Sequence, residues 1–170
     1  AVAQVVSRWG RIDILVNNAG AHRGGKIEKL APEDWQTVID TNLTGALNVI
    51  TAASPCLGDG GAVVNIGAVV GFRGFPGDAA YAASKAGIAG LTRALAIELA
   101  PRGITVNLVI PGLVLTEMTG ALSQKALDSM RRKIPLGRFG EPDEIAEVVE
   151  FTARARYMTG DVVPADIGHQ

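Results

Sequence analysis

Tyr81-Ala82-Ala83-Ser84-Lys85 is the stretch of this chain best suited to chemistry. A Tyr and a Lys spaced i, i+4 on a helix stand on one face. A cation beside a phenol favours the phenolate, so the pair can act as a general acid/base near neutral pH.

Alternating strand and helix signals supply the elements that must position this pair, with no linker or repeat between them. Residues 12–16 are a short apolar run, as expected for a buried parallel strand, and it ends in Asn17-Asn18-Ala19-Gly20. After Gly24 and Gly25, Ala31-Pro32-Glu33-Asp34-Trp35 opens a helix with Pro and acids in its first turn. Helical spacing runs over residues 35–57, broken or kinked at Asp40-Thr41-Asn42. Gly58-Asp59-Gly60-Gly61 then turns into a strand over 62–66. A helix over 79–100 takes Asp78 as its cap and closes at Pro101 and Gly103. Residues 104–110 form a strand, followed by Pro111-Gly112, a polar helical insertion over 117–133, a helix over 141–152 and a last strand over 161–165. This order calls for a four-stranded parallel sheet with right-handed crossovers.

Composition agrees with that class. The 170 residues suit one domain, 1–170, with a real core. They are 48% hydrophobic but only 5% aromatic, which fits a helix-flanked parallel sheet better than an antiparallel sandwich. With 16 basic against 17 acidic residues, no nucleic-acid or anionic-membrane field is implied. The cluster Arg131-Arg132-Lys133 reads as a solvated helix end. No apolar run approaches the ~20 residues that cross a bilayer. Cys56 stands alone as a small packing residue, which points to a reducing cytoplasm. His22 and His169 sit apart from any Cys or carboxylate cluster, so no metal site is expected. Residues 86–99 of the helix over 79–100 are small or apolar on nearly every face, which predicts a partner subunit and so a homo-oligomer, dimer or tetramer, associating through the helices over 35–57 and 79–100.

Several ordered runs resemble the short-chain dehydrogenase/reductase family, in its 3-oxoacyl-[acyl-carrier-protein] reductase-like branch. They are Leu15-Val16-Asn17-Asn18-Ala19-Gly20, Asp40-Thr41-Asn42-Leu43-Thr44-Gly45, Tyr81-Ala82-Ala83-Ser84-Lys85-Ala86-Gly87, Gly103-Ile104-Thr105-Val106-Asn107 and Ile134-Pro135-Leu136-Gly137-Arg138. The resemblance implies an α/β fold, a partial Rossmann-like doubly wound parallel sheet. The N-terminal strands are expected to be lacking, because no G-x-G-x-x-G turn precedes Tyr81 and residues 1–10 read as mid-helix. The chain thus looks like the C-terminal two-thirds of a family member.

By the same resemblance, Tyr81 exchanges the proton of the substrate oxygen, while Lys85 lowers the phenol pKa and holds the ribose of NAD(P)(H). Asn42 holds a proton-relaying water or satisfies the helix kink. Asn18, Ala19 and Gly20 line the adenosine side, where small residues let backbone approach. Pro111, Gly112, Val114 and Thr116 face the nicotinamide, and Asn17 reads as a strand-end buckle. The sequence departs from the family at Ala68, where a Ser that stabilises the developing oxyanion is expected. Neither Ser54 nor Ser84 replaces it, since Ser84 lies on a different helix face from Lys85. The connection from Phe151 to Tyr157 looks short, and Asp166-Ile167-Gly168-His169 replaces the usual Asp-Gly-Gly.

The leading expectation is reduction of a small-molecule carbonyl or acyl substrate, with weak or absent cofactor binding by this chain alone and slow turnover. The alternatives are a non-catalytic assembly or binding subunit that keeps the fold, and a small esterase-like hydrolase, for which no G-x-S-x-G elbow is present.

Overall fold

The computed structural model describes residues 1–116 and 123–166. Among these, four strands, β1 (Ile12–Asn17), β2 (Leu57–Ile66), β3 (Thr105–Pro111) and β4 (Val162–Ala165), form one parallel sheet in the order β1-β2-β3-β4. The register passes from Ile12 opposite Leu57 to Ile14 opposite Ala62, so the expected glycine turn of residues 58–61 loops out of the ladder. A Cβ on Gly61 would lie 2.8 Å from the carbonyl oxygens of Asp13 and Gly58, a space only glycine fits.

Helices cover both faces. On one face α3 (Gly45–Ala53) and α5 (Ala79–Leu99) pack Ile50, Ala53, Ala96 and Leu99 against Val63 and Val106. Helix α1 (Val2–Trp9) joins this cluster through Val2, Val5 and Val6, an i, i+3, i+4 stripe. The other face carries Val64, Ile66 and Val109, and α7 (Pro142–Arg154) covers them with Val148, Val149 and Ala153. Strand order advances in one direction while α7 lies opposite α3 and α5. The three crossovers therefore cannot all be right-handed, as the alternation of strands and helices had suggested. The reason lies in β2 and β3, which are apolar on both faces and need a helix on each.

The kink read at Asp40-Thr41-Asn42 is a π-helical turn, Asp40–Thr44, between α2 (Pro32–Ile39) and α3. Such turns insert a residue and re-aim side chains; here Asn42 points into the interior. Asn17 is the expected buckle, its Nδ2 donating to Asn65 Oδ1 at 2.8 Å, and Asn65 Nδ2 in turn reaches Thr92 Oγ1 at 2.9 Å. Within the stretch expected to be helical over 117–133, α6 spans Gln124–Arg131, and residues 117–122 lie outside the described residues. The altered tail at Ile167, Gly168 and His169 lies outside them too. No helix of the described residues is long and apolar enough to cross a membrane.

Candidate active site

The strands end at one sheet edge, and their C-terminal extensions converge there, where open α/β sheets bind ligands. Asn18 and Gly20 after β1, Gly67 and Ala68 after β2, and Pro111 and Gly112 after β3 line one cleft of about 740 Å³. That volume is within the usual range for small-molecule and cofactor sites, about 300–1,000 Å³. Tyr81 and Lys85 of α5, with Val114 and Thr116 beyond β3, line the same cleft. Ala19, between Asn18 and Gly20, does not line it. The turn at Gly20 lies against both side chains, since a Cβ there would sit in ordinary contact 3.9 Å from Lys85 Nζ and 3.6 Å from Asn42 Oδ1.

Helix α5 is placed by close packing on α4 (Val70–Arg73). A Cβ on Gly71 would meet the Lys85 backbone carbon and Ala86 nitrogen at 3.0 Å, so a bare glycine lets the two helices touch behind Lys85. Beyond β3 the chain is pinned to residue 140. Gly140 N donates to Leu113 O at 2.9 Å and Leu115 N to Gly140 O at 3.0 Å. The Arg138 of the Ile134–Arg138 run clasps the first turn of α7, donating to Glu144 Oε2 and Oε1 at 2.8 and 2.7 Å. Its hydrogen bonds, with the one from Glu141 N, hold the Glu144 carboxyl down to about 2.

Lys85 is 4% exposed, and its Nζ donates to Ile66 O at 2.8 Å. It lies 5.6 Å from the centroid of the Tyr81 ring. No carboxylate among the described residues pairs with it, and burial lowers its pKa to about 8. The Tyr81 phenol is raised above its ordinary value, first by burial and then by the Asp78 carboxylate. The expected phenolate-favouring effect of the cation is thus not what prevails here. The ammonium is turned to a backbone carbonyl, and burial disfavours both charged forms.

Asn42 stands behind the cleft as a strut. Its Oδ1 accepts from Ala21 N at 2.7 Å, and its Nδ2 donates to Ala21 O and to Ser84 Oγ, each at 3.0 Å. Both amide hydrogens are engaged, so a relaying water finds on this side chain only the second lone pair of Oδ1. Ser84 is fully buried and donates to Tyr81 O at 2.8 Å, on the far side of the helix register from a substrate oxygen, as its position predicts.

Two features escape the sequence. His22 pairs with one carboxylate, Asp78, at 2.9 Å, and Asp78 stands at the start of α5 without capping it through its side chain. Helix α7 supplies Ile145, Ala146 and Val149 to the cleft wall. Nothing in its periodicity says which face of the sheet it covers. No group of three metal-ligating side chains occurs among the described residues.

A family model described as enoyl-(acyl carrier protein) reductase matches residues 1–170. Over 171 residues the chain is 45% identical to the 3-oxoacyl-[acyl-carrier-protein] reductase FabG of Staphylococcus aureus, aligning 98% of this chain with 70% of that protein. It is 46% identical to carbonyl reductase family member 4 of Danio rerio, over 95% of this chain and 67% of that one. A solved short-chain dehydrogenase/reductase mutant of Serratia marcescens superposes with a TM-score of 0.93 at 39% identity, covering 99% of this chain and 69% of that one.

Proposed function

Because the chain belongs to the short-chain dehydrogenase/reductase family, we propose that it serves NAD(P)(H)-dependent reduction of a ketone or 3-oxoacyl substrate, or the reverse oxidation of a secondary alcohol. The observation that carries this is the meeting of Tyr81 and Lys85 with Gly112, Val114 and Thr116 on one cleft. When bound, the nicotinamide cofactor supplies or takes the hydride. Tyr81 holds the proton of the substrate oxygen at its hydroxyl, which no other group among the described residues engages. Lys85, with two ammonium hydrogens beyond the one given to Ile66, offers donors to a ribose at the cleft floor. Pro111, Gly112, Val114 and Thr116 would orient the nicotinamide end, and Asn18 and Gly20 the adenosine side.

Two features argue that this chain works slowly. Ala68 withholds a hydroxyl from the developing oxyanion, and the raised Tyr81 phenol gives less phenolate for the oxidative direction. These same features favour the second reading, a binding or assembly subunit that keeps the fold. Tyr81→Phe separates the two. Assayed with a 3-oxoacyl thioester and NADPH, it should lose at least about 10²-fold in kcat/KM, the usual contribution of a positioned acid/base. Equal rates in both proteins would leave only the binding reading.

Self-association belongs to the same proposal. Ala79, Ala83, Ala86, Gly90, Ala94 and Ile97 make an exposed small-residue stripe along α5, and Ile97 is 79% exposed. A like stripe on a second copy allows two helices to approach closely. Light scattering should report a dimer or tetramer, and a stable monomer at high micromolar concentration would contradict it.

A further inference from the structure

His22 joins the active-site tyrosine to a carboxylate. Its Nε2 lies 2.9 Å from Asp78 Oδ1, and an ionised carboxylate only accepts, so the imidazole donates. The same ring meets Tyr81 edge-on, with centroids 5.1 Å apart and planes at 80°. The two loops concerned are also tied through the backbone, Gly25 N donating to Gly77 O at 2.8 Å. Gly24 makes room for the ring, since a Cβ there would lie 3.2 Å from His22 Cε1. The other charged groups nearby are Lys85, 5.6 Å from the Tyr81 ring, and Arg23. Arg23 Nη1 donates to His22 O at 3.0 Å, and its Nε lies 4.0 Å from the Asp34 carboxylate of α2.

We infer that His22 is a positioning residue for Tyr81: by donating to Asp78 it draws that carboxylate's charge into a hydrogen bond, and its ring edge sets the plane of the phenol. The inference rests on Tyr81 being the proton carrier proposed above. Asp78 is the charged neighbour that, after burial, holds the phenol protonated. A carboxylate engaged by a donor acts less strongly on a neighbouring group than a bare one. His22 therefore tempers the Asp78 charge, which works against ionising Tyr81. Sequence gives no hint of this, because His22 and Asp78 are 56 positions apart.

The test reads the phenol directly. The chain has two tyrosines, and Tyr157 is fully exposed, so Tyr157→Phe leaves Tyr81 as the only tyrosinate signal in an ultraviolet pH titration. In that background His22→Phe keeps a ring against Tyr81 and removes the donor, and the midpoint should rise. His22→Gln restores an N–H donor and should return the midpoint toward the parent value. Asp78→Asn should lower the midpoint and make His22→Phe silent when the two are combined. If a variant unfolds before its phenol titrates, the Tyr81 ζ-carbon NMR shift is compared instead at the highest alkaline pH at which parent and variants all stay folded, where the ionised fraction should follow the same order. An unmoved signal in His22→Phe, or a Gln variant no nearer the parent than the Phe variant, overturns the inference. The titration needs no turnover, so a chain without reductase activity still decides it.

Discussion

Ala68→Ser should raise kcat/KM for ketone reduction by about 10²- to 10³-fold and leave cofactor affinity unchanged. Residue 68 follows β2 at the sheet edge and lines the cleft that Tyr81 lines. A hydroxyl there gains a partner when charge gathers on the substrate oxygen. A preorganised donor of this kind is typically worth about 3–4 kcal/mol in the transition state. The ground-state complex gains little, so the change falls on the chemical step. The substitution adds nothing to the grip on the cofactor's adenosine half, so affinity should not follow the rate. Calorimetry with NADH and NADPH, run beside a 3-oxoacyl thioester assay on both proteins, separates the two effects. A serine variant no faster than the parent would show that position 68 does not face the reacting oxygen.

What could be read from the sequence depended on how far apart the partners lie. Tyr81 and Lys85 are one helical turn apart, and local geometry alone puts them together. The strand ends were legible for the same reason, since each apolar run stops at Asn17, Gly67 or Pro111 and a parallel sheet aligns those stops. The kink at Asp40-Thr41-Asn42 was legible as a break, but its π-helical form depends on Asn42 finding Ala21 and Ser84. The pairing of His22 with Asp78 and the face chosen by α7 are tertiary facts. An amphipathic helix announces that it has a buried face, and which side of a two-faced sheet receives it is decided by Val64, Ile66 and Val109. Spacing and burial act in opposite directions on the charges at the site. Spacing brings the cation near the phenol, whereas burial and the hydrogen bond to Ile66 O determine what each group's proton does.

Lys85→Met should stabilise the fold at pH 7 while removing turnover. In the native chain the ammonium is buried and its pKa lies near 8, against 10.5 for an ordinary lysine. The native state therefore binds this proton more weakly than the unfolded chain does. Below pH 8 both states hold it and the full penalty is present. Between pH 8 and 10.5 the native state has released the proton while the unfolded chain still holds it, so the stability contribution of Lys85 rises with pH across that window. The difference of about 2.5 units between 10.5 and 8 corresponds to roughly 3 kcal/mol. Methionine fills the space of the stem without the charge but leaves Ile66 O without its donor, a loss of about 1 kcal/mol. The net gain at pH 7 is thus about 2 kcal/mol, and most of it should vanish by pH 10 as the native lysine becomes neutral. Urea unfolding of both proteins at pH 7 and pH 10 measures this. A methionine variant less stable than the parent at pH 7, or a gap that does not narrow at pH 10, would show that the ammonium is better solvated than its surroundings imply. A buried cation with no carboxylate beside it among the described residues, and which weakens the fold, needs another reason to be there. Greater stability together with lost turnover in the methionine variant would identify that reason as the ligand this cleft is built to meet.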